Sequence, residues 1–314
     1  DLYIVAATAD HGAAEFNDSG LVGADEVRFT SAVANSTLTL YAGDLGIEKV
    51  VIGTGTAAAA VSTATTALNV NASAMSYGIT LVGNAGANAL TGGTGNDTLQ
   101  GGAGNDVLNG GNGFDYSDYT SATKAIAVNL GLITAQNTGG AGTDTLTGIE
   151  GVLGGSAADT LTGDANANIL VGGAGNDALN GAAGFDQLKG KNSNDTLTGG
   201  AGIDWFIFDV AANATTNKDT ISDFTSGLDV LQFSRAIFTG LSAAPLGALS
   251  TDAFWSGANV NAAHDATDRL IYNSTTGALY YDADGTGAGA AIQVALLGTT
   301  THPTLTFTDF VVIG

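Results

Sequence analysis

A nine-residue repeat constrains this chain more than any other feature. Four consecutive units begin at Gly83: GNAGANALT (83–91), GGTGNDTLQ (92–100), GGAGNDVLN (101–109) and GGNGFDYSD (110–118). A second array runs GGSAADTLT (154–162), GDANANILV (163–171), GGAGNDALN (172–180), GAAGFDQLK (181–189), GKNSNDTLT (190–198) and GGAGIDWFI (199–207). One unit, GGAGTDTLT (139–147), stands between them. The sixth position is Asp in nine of these eleven units, at Asp97, Asp106, Asp115, Asp144, Asp159, Asp177, Asp186, Asp195 and Asp204, and Asn at Asn88 and Asn168. The eighth is Leu in nine of them, with Ser117 and Phe206 the departures. A fixed period this short means a solenoid in which each unit buries its apolar side only by stacking on its neighbours.

Each unit reads as a six-residue turn followed by a three-residue strand. Glycines at positions one, two and four permit φ > 0, which brings several carbonyls round to one point. The Asp at position six adds a carboxylate there, and alternation along the strand sends position eight into the core. Two units make one turn of the solenoid, so residues 18 apart stack: Asp97 over Asp115, Asp159 over Asp177 over Asp195, and Asp186 over Asp204. Like charges at strand spacing repel. A divalent cation held between turns by carboxylates and carbonyls converts that repulsion into binding.

The acids support this reading. Of 30 acidic residues only Glu15, Glu26, Glu48 and Glu150 are Glu. Asp is the shorter carboxylate, suited to turns and to hard cations. The formal charge of −22 argues against nucleic acid and anionic membrane as partners. With no cysteine, no disulfide or thiolate metal site can hold the loops. The chain is 44% hydrophobic, which argues against disorder, yet no apolar run reaches the ~18 residues of a membrane span.

The units resemble the RTX (hemolysin-type) repeat GGxGxDxUx, in which calcium sits between adjacent turns of a parallel β-roll. The resemblance implies several Ca²⁺ ions, with the nine position-six aspartates as ligands and Asn88 and Asn168 as weaker, neutral ones. It also implies turn carbonyls at Gly93, Gly95, Gly102, Gly104, Gly111, Gly113, Gly173, Gly175 and Gly184. Glycine losses at Ala182 and Asn192 point to poorer loops in 181–198. The expected fold is all-β: a parallel β-roll over 83–207, an irregular β-solenoid lead-in over 1–82 and an antiparallel β cap over 208–314. Extracellular calcium modules have Kd of roughly 10⁻⁴–10⁻³ M, and at ten times Kd a site adds about 1.4 kcal/mol. Five such sites rival the ~5–15 kcal/mol stability of a domain, so the roll is expected to fold on meeting calcium.

In the lead-in, Val27–Thr30, Leu38–Ala42, Val50–Ile52 and Leu68–Asn71 read as strands, and GIEKVVIG (46–53) echoes GIEGVLG (148–154). The Thr-rich stretch 62–66 reads as strand filling rather than as an ice-binding or ligand-binding face. An insertion over 119–138 includes KAIAVNLGLITAQN (124–137), which reads as a hairpin turning near Gly131. In 205–233 an aromatic-rich strand resembles the segment closing RTX arrays; Asp219, Asp223 and Asp229 read as turn and capping residues more than as ligands. Asp282 and Asp284 form an Asp-x-Asp-Gly turn that suits either a further Ca²⁺ or a plain hairpin. The ending Asp309, Phe310, Val311 and Val312 resembles the C-terminal end of proteins exported by type I secretion. With the repeats and no leading signal peptide, this makes an extracellular, secreted or cell-surface location the expectation.

No HExxH or GxSxG motif is present, a thiol nucleophile is impossible, and His11, His264 and His302 lack a catalytic partner pattern. The chain is expected not to be an enzyme. The Ala/Gly/Thr/Asn-rich, Lys-poor composition resembles S-layer-like proteins and adhesins. Their partners would be calcium, other copies of the chain or a cell-surface glycan, and the type I secretion machinery. The alternative is the secretion and folding module of a larger hydrolase or toxin with its catalytic domain upstream.

Overall fold

A computed structural model of the chain describes residues 1–7, 11, 16, 25–56, 59–242 and 246–314. These residues form short β-strands, turns and a few 3-10 turns, with no α-helix among the described residues. Among the described residues no helix is long and apolar enough to cross a membrane. The chain divides into two compact units, Asp1–Gly155 and Ser156–Gly314.

In the first unit the strands build two parallel sheets, with Thr54–Thr56 and Ala59–Val61 pairing antiparallel apart from them. One carries Leu2–Val5, Glu26–Phe29, Lys49–Ile52, Thr80–Val82, Thr98–Gln100, Tyr116–Asp118 and Gly151–Leu153 in that order. The other carries Ser36–Thr39, Leu68–Asn71, Ala89–Thr91, Val107–Asn109 and Thr143–Thr147. Because successive nonapeptides go to opposite sheets, units 18 apart come into register: Leu81 pairs with Leu99, and Leu90 with Leu108. Position eight thereby builds two buried columns facing each other. Leu38, Val70, Leu90, Leu108 and Leu146 form one. Val27, Val50, Leu81, Leu99, Ser117 and Val152 form the other. Ser117 is fully buried there, and its hydroxyl donates to the Gly151 carbonyl at 3.4 Å, which satisfies the one polar group in the column. The lead-in strands are rungs of the same two sheets, reached by longer and uneven loops.

Two readings of this unit need correction. Residues 124–137 do not form a hairpin about Gly131. Gln136–Asn137 pairs antiparallel with Thr143 and Asp144 instead. The Gln136 side chain accepts from Asn129 N–H at 2.7 Å and donates to its carbonyl at 3.0 Å, taking the bonds a partner strand would have made. Residues 62–66 lie outside any strand; Thr63 and Thr66 instead line a cavity of about 340 Å³ with Phe29, Ile52 and Leu68.

The second unit repeats the design. One parallel run holds Ile169–Ala174, Gln187–Asn192, Trp205–Phe208, Val230–Ser234 and Phe310–Ile313; the other holds Thr160–Thr162, Ala178–Asn180, Thr196–Thr198, Asp219–Ile221 and Ile292–Leu297. Leu161, Leu179, Leu197, Ile221 and Leu297 stack as one buried column. Leu170, Leu188, Phe206, Leu231 and Phe310 stack as the other. The cap is the meander Leu270–Asn273, Ala278–Tyr281 and Ile292–Leu297, antiparallel throughout. Phe208, Phe233, Phe238 and Tyr281 join it to the roll through ring contacts of 4.8–5.0 Å. Aromatic pairs in such offset and edge-on geometry add to their burial.

Candidate metal centre: the position-six ladders

All nine position-six aspartates, with Asn88 and Asn168, are buried. Seven of them, Asp106, Asp115, Asp144, Asp177, Asp186, Asp195 and Asp204, follow one rule: Oδ1 accepts the backbone N–H of the position-six residue one solenoid turn earlier. In the first unit Asn88 N–H donates to Asp106 at 2.8 Å, Asp106 N–H to Asp144 at 2.9 Å, and Asp97 N–H to Asp115 at 2.7 Å. In the second, Asp159 N–H donates to Asp177 and Asp177 N–H to Asp195, both at 2.8 Å; Asn168 N–H donates to Asp186 at 2.8 Å and Asp186 N–H to Asp204 at 3.0 Å. The stacking foreseen from the 18-residue period is therefore present as carboxylate-to-backbone ladders.

The ladders extend past the recognisable repeats. Asp115 N–H donates to Glu150 Oε2 at 2.8 Å, Asp195 N–H to Asp219 Oδ1 at 3.1 Å, and Asp204 N–H to Asp229 Oδ1 at 3.1 Å. In the lead-in, Asp25 N–H donates to Glu48 Oε2 at 2.6 Å. Sequence reasoning did not place Glu150 or Glu48 in the ladders, although the GIE echo at 46–48 and 148–150 was the signal for both. Asp219 and Asp229 are ladder members rather than only turn residues. Asp223 caps a turn, accepting from Gly199 and Gly200 N–H at 3.0 and 2.8 Å.

The second carboxylate oxygen is where the ladders become unusual. Oδ2 of Asp106, Asp115, Asp177, Asp186, Asp195 and Asp204 is buried and makes no hydrogen bond. An unsatisfied buried carboxylate oxygen is costly. Burial pushes Asp106, Asp177 and Asp186 up to about 7, Asp115 and Asp195 up to about 6, and Asp219 up to about 8, with neighbouring carboxylates contributing at most of these positions. Such groups hold a proton or want a cation. The available donors are all oxygens, with no thiolate and no imidazole in the ladders, which is the donor set of a hard divalent cation such as Ca²⁺. The orphaned Oδ2 atoms of the six aspartates would hold it, and the ion would supply the positive charge that the buried acids lack.

The glycines serve two purposes. At position one, Gly92, Gly101, Gly172, Gly181, Gly190 and Gly199 have no left-handed backbone; a β-carbon there would collide with Oδ2 of the unit's own aspartate. Among the position-one glycines only Gly139 takes the left-handed conformation that the sequence reading allowed there. Positions two and four are left-handed at Gly102, Gly104, Gly111, Gly113, Gly173 and Gly175, and position four also at Gly184. Gly93 and Gly95 are not; there a β-carbon would strike the Met75 carbonyl and the Tyr77 backbone.

Outside the ladders, His264, Asp265 and Asp268 bring ligand atoms within 4.8 Å of one another. Asp268 Oδ2 accepts from His264 and Asp265 N–H at 2.6 and 2.8 Å, which makes it a loop clasp. Asp284 N–H donates to Asp282 Oδ1 at 3.1 Å within the expected turn.

A parallel β-roll whose turns enclose buried, oxygen-only carboxylate ladders defines a cation-binding repeat protein. Residues 82–116, 153–188 and 189–207 match the family model of the RTX calcium-binding nonapeptide repeat, in four copies. These segments of the chain are RTX nonapeptide repeats, and such repeats bind calcium ions. No curated protein matches the chain.

Proposed function

We propose that this chain is a non-enzymatic, calcium-binding structural protein of the extracellular surface, S-layer-like or adhesive, that folds on calcium after type I secretion. The observation that carries the reading is the set of six buried carboxylate oxygens without a hydrogen bond. A fold that buries so many uncompensated acids is poorly stable at neutral pH until a cation arrives, which suits a protein made where calcium is scarce and used where it is plentiful. An Asp-rich, cysteine-free chain with only 8 basic residues supports a surface role, because calcium can join acidic copies.

Circular dichroism and sedimentation velocity, read while calcium is titrated from chelator to millimolar, test this. A cooperative gain of β-structure followed by large assemblies is the expected result. Folding without assembly would instead favour the calcium-dependent module of a larger secreted protein. Full β-structure in chelator, indifferent to calcium, would sink both.

A further inference from the structure

Nine of the eleven six-residue turns adopt one of two conformations, and these divide their position-six side chains chemically. In turns 83–88, 92–97 and 163–168 the position-two N–H donates to the unit's own position-six side chain: Asn84 to Asn88 Oδ1 at 2.8 Å, Gly93 to Asp97 Oδ2 at 2.7 Å, and Asp164 to Asn168 Oδ1 at 2.7 Å. Neither position two nor position four is left-handed in these turns. In turns 101–106, 110–115, 172–177, 181–186, 190–195 and 199–204 both positions are left-handed, and in all six the aspartate Oδ2 is the buried, unbonded oxygen. The first kind is closed on itself; the second is open.

Glycine content does not decide between them. Ala182, Lys191 and Ser193 hold φ of 75°, 75° and 89° in open turns, each at a cost of about 1–2 kcal/mol that glycine avoids. Gly93 and Gly95, which could adopt that conformation freely, stay closed. Asp144 is a third case. Its Oδ2 accepts from Thr138 Oγ1 at 2.8 Å and from Tyr119 Oη at 3.2 Å, both buried side chains flanking the insertion.

We propose that calcium loads only the open turns, through Asp106, Asp115, Asp177, Asp186, Asp195 and Asp204. Asp97 and Asp144 do not load, although they stand in the full-consensus turns GGTGND and GGAGTD. Protein donors already occupy the oxygen that the ion would take: the Gly93 N–H at Asp97, and the Thr138 and Tyr119 hydroxyls at Asp144. The Asp144 rung is thus a metal-free clasp that fixes the insertion. This rests on the calcium-binding reading above and says which rungs carry it.

The test is the number of ions bound at saturation, by equilibrium dialysis against calcium with elemental analysis of the full chain. D97N and D144N are expected to keep the wild-type count, and D177N and D204N to lose at least one ion each. A loss in D97N or D144N matching that in D177N overturns the proposal. An unchanged count in D177N and D204N, or no binding by the wild type, overturns the calcium-binding reading instead. Should D97N or D144N fail to refold, the count is taken on Y119F/T138V, which keeps every carboxylate and frees Asp144 Oδ2. A gain of one ion is expected there, and an unchanged count overturns the proposal.

Discussion

The carboxylate of Asp177 folds back over Gly172 of its own unit so closely that a β-carbon on Gly172 would collide with Oδ2. Gly172 has an ordinary backbone conformation, so the demand is for space alone. G172A is therefore expected to destabilise the calcium-loaded protein by about 1–3 kcal/mol, as overpacking does. Urea unfolding at saturating calcium checks this, and an unchanged midpoint would show that the carboxylate can sit elsewhere.

The reverse holds at Ser193, where an L-residue sits at φ 89°. Glycine removes that strain but gives the unfolded chain more freedom, and the first effect is larger. S193G should raise stability by about 1 kcal/mol. A lower thermal midpoint would mean that the Ser193 side chain makes a compensating contact in the loaded turn.

Stability in chelator should fall as pH rises. The six aspartates with values of about 6 to about 8 in the fold titrate near ~4 when unfolded. Between those values the folded chain binds more protons than the unfolded one, so each step up in pH favours unfolding. Calcium needs the ionised acids, so its affinity should rise over the same range. Chemical denaturation from pH 4 to 7, with and without calcium, reads both slopes; a metal-free protein that gains stability towards pH 7 would contradict the burial of unpaired acids.

Leu179 lies between Leu161 and Leu197 in a fully buried column. L179A should cost about 2–5 kcal/mol, from lost burial and the cavity left behind. Leu132, at 44% exposure, should tolerate alanine with little change. Equal losses at the two positions would argue against the stacked core.

Asp219 is an acceptor for Asp195 N–H, yet its carboxyl also faces the buried acids Asp195 and Asp177. D219N keeps the acceptor and removes the charge, so the chelated protein at neutral pH should become more stable. Thermal unfolding in chelator decides it; a loss would show that the carboxylate is needed for more than its oxygen.

Much of this was legible in the sequence because the period itself encodes register. An 18-residue spacing places Leu99 beside Leu81 and Asp177 beside Asp195 with no other information. Where the period breaks, so does legibility. Glu150 follows Asp115 after an insertion, and Asp219 and Asp229 follow Asp195 and Asp204 after longer loops, so counting cannot align them. The state of each turn was hidden for a different reason. The closed turn at 92–97 packs against the rung before it, with Thr94 N–H donating to the Met75 carbonyl at 3.0 Å, a contact that the six residues of the turn do not encode.

The ladder carboxylates from Asp97 to Glu150 and from Asp177 to Asp229 reach back to the N–H of the rung before them. The assembly is therefore vectorial, like a zip whose teeth all lean one way. Removing rungs from the N-terminal side would leave acids facing outward, where water or metal accepts them. Removing rungs from the C-terminal side would strand buried amide protons with nothing to receive them. Within the second unit, growth of the roll is thus best supported from its last rungs, Asp219 and Asp229, towards its first.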